Sequence, residues 1–194
     1  MIAQASQLTI TVPPVAEPVT IAEAKRQLFL AASDTQHDDD ILRTIQVARE
    51  QWESDTDSAS MTQTIKVYLS RFGGPCVYLP RRPIQSVTSV IYYDSDNTQQ
   101  TLSTSIYSLN PTSRAIELKS GQSWPTVIDD RWDAIAITYV CGYTSRQLVP
   151  GLHKQAMLLL CGYYFDANRG DNDRLYDGRA YESLVAKCLR SNYP

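Results

Sequence analysis

"REQWESDTDSASMTQTIKVYLSRF", residues 49–72, holds the change of period on which the fold turns. Up to Trp52 the apolar residues recur at helical intervals: Ile41, Ile45, Ala48 and Trp52 lie four, three and four apart and share one face. "ESDTDSAS" then closes the helix in a polar loop. From residue 62 β-branched and aromatic residues dominate and alternation sets in, the mark of a strand. A helix handing over to a strand here predicts an α+β chain.

Downstream the β signal persists. "TQTIKVYLSRF", "CVYLP", "QSVTSVIYYD", "SIYSLN", "AIELK" and "DAIAITYVCGY" read as six short strands over residues 62–143, mostly antiparallel, with "DSDN" and "GGPC" as turn chemistry. No long β-α-β alternation occurs, which excludes a Rossmann sheet. Helical spacing returns after Pro150. Leu152, Ala156, Leu159, Leu160 and Tyr163 form a wide stripe, predicting a helix at about 151–166. "DANRGDNDRLYDG" is a polar break, and a last helix follows at about 178–190 with Tyr181, Leu184, Val185 and Cys188 on its apolar side. The break makes this helix separable from the core.

Upstream, the second helix spans about 39–54 and opens at "HDDD". The first spans about 20–30, where Thr20 and Glu23 have the spacing of a capping box. "LTITVPPVAEP" reads as an extended, proline-punctuated arm. The expected architecture is one domain, residues 1–194, with a four-helix bundle-like core and a β-rich insertion between the second and third helices.

His37, Asp38, Asp39 and Asp40 are residue types that bind metals or move protons. Consecutive helical residues point about 100° apart, however, so these carboxylates do not converge on one ion. Asp38 or Asp39 suits a helix N-cap, and the other acids favour the positive end of the helix dipole. His153, beside Lys154 in a first helical turn, reads as a surface histidine, since no GxSxG-type motif accompanies it. "GDNDRLYDG" has Asp171, Asp173 and Asp177 at calcium-loop offsets and Glu182 at the twelfth place, but Tyr176 sits where that loop needs glycine. No P-loop or GxGxxG is present, and no catalytic residue, metal or cofactor is expected. The competing enzymatic reading is a metal-dependent nuclease or phosphohydrolase built on His37 and its neighbouring aspartates.

Composition narrows the class further. Hydrophobic residues make up 43% and charged residues 20% of the 194, a globular balance. No apolar run reaches the roughly 18 residues of a membrane span, and "MIAQASQLTI" lacks the features of a signal peptide, so an intracellular protein without membrane contact is expected. Cys76, Cys141, Cys161 and Cys188 are scattered without a CxxC pair and read as reduced, buried thiols. Residues 1–60 hold ten acids and four Lys/Arg, net −6; the rest hold eleven acids and fourteen Lys/Arg, net +3. With no basic cluster, sequence-specific nucleic-acid binding is not expected.

"EPVTIAEAKRQL", "DDDILRTIQVAREQWE", "TQTIKVYLSRF", "VYLPRRPIQSVTSVIYYD", "GQSWP", "AIAITYVCGY" and "VPGLHKQAMLLLCGYYFDANR", taken in that order over about residues 17–169, resemble the head–tail connector (adaptor) proteins of tailed bacteriophages and prophages. The first loop, "AASDTQHDDD", is longer than the family's. The resemblance implies a structural virion protein. It would form a homo-oligomeric ring, dodecameric in the virion, beneath the portal protein, extend the DNA channel and receive the next head-completion or tail protein. Its place would be the virion head–tail junction, reached from the host cytoplasm during assembly. An acidic surface there would repel phosphates and let DNA slide. Candidate partner-binding residues are Tyr181, Leu184 and Tyr193 in the last helix and tail, proposed for portal docking, and Arg81 and Arg82 at a strand break. For Leu184 a core role is an equal reading, and the arginines also read as an exposed, solvated pair.

Overall fold

A computed structural model describes residues 7–168 and 178–190 of the chain. The fold is mixed α+β and divides into two compact units, one of strands (Met1–Pro14 and Thr62–Gly142) and one of helices (Val15–Met61 and Tyr143–Pro194).

The strand unit contains two antiparallel sheets. β1 (Gln7–Val12), β2 (Gln63–Leu69), β8 (Ile135–Cys141), β4 (Ile84–Tyr93) and β5 (Gln99–Thr101) lie side by side in that order; β3 (Cys76–Tyr78), β7 (Ala115–Leu118) and β6 (Tyr107–Asn110) form the second sheet. Strict alternation drives the first sheet. Ile65, Val67 and Leu69 are buried and stand opposite Tyr139, Ile137 and Ile135, while Thr64, Lys66 and Tyr68 turn to the other, half-exposed face. In the second sheet Val77 meets Ile116, both buried. The Tyr139 hydroxyl donates to the Pro80 carbonyl (2.6 Å), and the Trp124 indole, stacked on Phe72, donates to the Gly74 carbonyl (2.6 Å).

All six expected strands form. Two more escape the sequence reading. β5 is three polar residues whose pairing is set by the turn before it, where the Asp94 carboxylate accepts from the Thr98 and Asp96 amides and from Gln100. β1 comes from the supposed arm: Pro13 and Pro14 follow the strand and so remove no ladder donor from it. Because β1 precedes the helices, the strand unit draws on two chain segments, not on one insertion.

The helical unit holds α1 (Ile21–Gln27), α2 (Asp38–Thr56), α3 (Gly151–Asn168) and α4 (Arg179–Arg190). The expected bundle of four is not supported, because α1 is only about two turns long. Both halves of its capping box are made: the Glu23 amide donates to Thr20 Oγ1 (3.1 Å), and Glu23 Oε2 accepts from the Thr20 amide (2.8 Å). On α2 the expected face is the buried one, with Ile41, Ile45, Ala48 and Trp52 in the core. On α3 the stripe is rotated. His153, Ala156, Met157, Leu160, Cys161 and Phe165 face inward, and Tyr163 is exposed. "AMLLLCGYYF" is apolar nearly all round, so sequence periodicity does not fix which side turns in.

Candidate functional site

The residues of "HDDD" disperse. α2 starts at Asp38, and its N-cap is His37, whose side chain makes no capping hydrogen bond; its ring instead meets Phe165 edge-on at 5.8 Å. Asp38 is no cap either. Its Oδ1 lies 2.6 Å from Nζ of Lys25, which is buried at 7% side-chain exposure and also donates to the Ala32 carbonyl. A buried ammonium requires a counter-charge, and this need outranks capping. Asp40 pairs loosely with Arg43 at 3.5 Å in the open, and Asp39 is exposed. Among the described residues no three His, Cys, Asp or Glu side chains are grouped to hold a metal ion.

His153 is not a surface residue but is 2% exposed, enclosed by Trp52 (5.0 Å between ring centres), Tyr143 (6.1 Å) and the Cys188 thiol, 3.6 Å from Nε2. Trp52 is wholly buried against residues of α3 and α4. Arg49, also buried, is gripped by Glu17 (2.8 Å), Glu53 (3.3 Å) and Glu50 (3.4 Å). Burial works against its charge, but Glu53, Glu17 and Glu50 outweigh it and raise its pKa further. Glu53 also accepts from the Ser60 amide (2.7 Å), and Glu17's carbonyl from Arg146 (2.6 Å). Burial lifts the Cys161 thiol above its ordinary range, partly offset by its hydrogen bond with Thr44. These polar groups pair with one another inside the helical unit.

The candidate partner-binding residues fare differently. Tyr181 is 7% exposed; its ring packs on Trp52 and its hydroxyl donates to Asp55 Oδ2 (2.7 Å), so the residue read as a surface anchor is part of the core. Leu184 is half-buried against the same core. Tyr193 lies outside the described residues, as do Asp171, Asp173, Tyr176 and Asp177 of the calcium-like loop. Arg82 is buried rather than solvated, and the half-buried Arg81 adopts φ 63°. In the sequence the two arginines read as one exposed pair, but the turn before β4 sends their side chains to different environments.

A concave surface lies on the helical unit. A groove of about 560 Å³ opens between His37 and α2, with Asp40, its partner Arg43, Thr44 and Val47, and the end of α3, with Tyr164 and Phe165. Sequence reasoning missed it, since its walls lie more than a hundred positions apart. Phe29, also missed, is 90% exposed at φ 57° just past α1. The available signal was a helix end without glycine, in "RQLFLAAS".

No protein-family model matches the chain, and no curated protein matches it. Solved structures do. A chain from the virion of a native gene transfer agent particle shares 19% identity at a TM-score of 0.73, covering 93% of this chain and 94% of that one. A chain from the neck of the empty particle, computed with C6 symmetry, gives 19% identity and a TM-score of 0.73, covering 94% of each chain. One from the neck of the native particle, computed with C12 symmetry, gives 21% and 0.67, covering 97% of this chain and 94% of that one. At these identities the likeness establishes the fold, over nearly the full length of both partners.

Proposed function

We propose that this chain is a structural subunit of a virion neck, a head–tail connector that acts as one domain and forms a homo-oligomeric ring beneath a portal protein. The observation that carries this reading is the fold shared across at least 93% of the chain with chains from a gene transfer agent virion and its neck. The six- and twelve-fold symmetries of those neck structures support a ring, and a twelve-membered one for this chain. A ring subunit presents two unlike side surfaces that meet around an axis. In this reading the ring extends the DNA channel, and its far side receives the next head-completion or tail protein.

The role is architectural and involves no bond-breaking step. The dispersal of His37, Asp38 and Asp40 to three different partners favours it over a metal-dependent nuclease. Portal docking is assigned to the end of the chain, Gly178–Pro194, with Tyr193 as the anchor and Leu184 as support; Arg81 is assigned to a contact with a neighbour's carboxylates. Assembly takes place in the host cytoplasm, and the finished location is the head–tail junction. Electron microscopy of the chain mixed with a portal protein tests this. A ring seated under the portal is expected; failure to form any ring, with portal or without, overturns the reading.

A further inference from the structure

In the turn after α1 the local sequence and the backbone disagree. "LFLAA", residues 28–32, holds no glycine, proline or β-branched residue, and leucine and alanine are among the strongest helix formers. Yet α1 stops at Gln27 in a Schellman arrangement: the Phe29 amide donates to the Arg26 carbonyl (3.3 Å) and the Leu30 amide to the Lys25 carbonyl (2.9 Å). That motif holds Phe29 at φ 57°, in the left-handed region, where glycine is the usual occupant and a bulky side chain is strained. The Phe29 ring is 90% exposed. Helix propensity, backbone strain and the exposed ring all work against this turn.

Two contacts work for it. Leu30 packs half-buried on the core of the helical unit, and the Lys25 ammonium, already paired with Asp38, donates to the Ala32 carbonyl (3.5 Å). A helix running on through Ala32 would exchange them for regular bonds, Phe29 amide to Lys25 carbonyl and Leu30 amide to Arg26 carbonyl. Phe29 would then follow Lys25 by one turn and share the face of that buried residue, which turns its ring from the water. The connection is long enough. Five more helical residues lengthen α1 by about 7.5 Å, and the segment 33–37 still spans roughly 20 Å to the start of α2.

We propose that residues 28–32 are a two-state switch between the short α1, with Phe29 displayed, and a longer α1, with Phe29 withdrawn. The left-handed strain at Phe29 keeps the longer helix populated at about 1–10%. The exchange is confined to one turn, so it sets the exposure of an aromatic ring without unfolding the helical unit.

Saturation-transfer NMR of the full chain tests this, because it reads the backbone shifts of a minor state directly. The wild type should show a minor state in which the Cα shifts of residues 28–32 move to helical values. Phe29→Gly relieves the turn and penalises the helix interior, so it should cut that population at least about tenfold while melting at or above the wild-type temperature. Leu30→Ala removes the core contact of the turn and favours the helix, so it should raise the population at least about threefold. A wild type with no minor state at the level of about 1% overturns the switch. So does a minor state without helical shifts at 28–32, or one that the two variants fail to move in opposite directions.

Discussion

A lysine ammonium at 7% exposure has few counter-charges within reach, and this makes Asp38 worth more than the two aspartates after it. Asp38→Ala should lower unfolding free energy by about 1–3 kcal/mol, less than for a fully buried pair because Asp38 is itself 31% exposed. Asp39→Ala should stay within about 0.5 kcal/mol of the wild type. Urea denaturation of the two variants decides the matter, since N-capping by Asp39 would make Asp39→Ala cost about 1 kcal/mol or more. The contrast also shows what the sequence conveyed at this scale. Thr20 and Glu23 were legible because a capping box closes within four residues, whereas Asp38 found its partner across a loop that no local rule predicts. His153 was misplaced for the same reason: two of the groups around it, Trp52 and Cys188, come from distant parts of the chain.

Helix α1 is too short to persist on its own, so its box carries more weight than in a long helix. Burial alone would raise the Glu23 pKa, but the Thr20 amide and hydroxyl outweigh it, helped by Lys154 and Arg26, and the carboxyl titrates below its ordinary 4.5. The folded value lies under the unfolded one, so this stabilisation is complete above about pH 4.5 and is lost as pH falls through the folded value. The stability gap between wild type and Glu23→Gln should therefore narrow steadily from pH 5 downward, as urea titrations at successive pH values would show; a constant gap would mean that the charge plays no part. Trp52 is the central packing residue of α2, and Trp52→Ala should cost about 3–5 kcal/mol. Among elements, legibility followed contrast. α2 has a polar and an apolar side, so its inner face was read correctly; α3 has apolar residues on most sides, so Ala156 and Leu160 were placed inside correctly while Tyr163 was not. β1 was hidden by the prolines beyond its end, and β5 by having only polar side chains.

At the scale of the whole chain, α4 is not separable from the core as the polar break before it suggested. It contributes Tyr181 and Cys188 to the buried cluster, so a chain ending at Asp177 would uncover Trp52 and His153 and should aggregate or melt far lower. A chain ending at Arg190 keeps that cluster and should melt with the wild type, while losing portal binding if Ser191–Pro194 dock there; circular dichroism and a portal pull-down read the two effects separately. The α+β class was visible in one change of period, but the origin of the sheet's outermost strand was not, and that origin has a consequence in time. Ile10 pairs with Ile65, so β1 leaves the ribosome ahead of a partner 55 positions behind it and must wait about 3–11 s at ordinary translation speeds. Meanwhile α1 and α2 are born between the two. A ribosome that stalls before Leu69 therefore leaves a nascent chain with one uncharged, β-branched strand uncovered, and such a stall should recruit chaperones that the finished protein does not need.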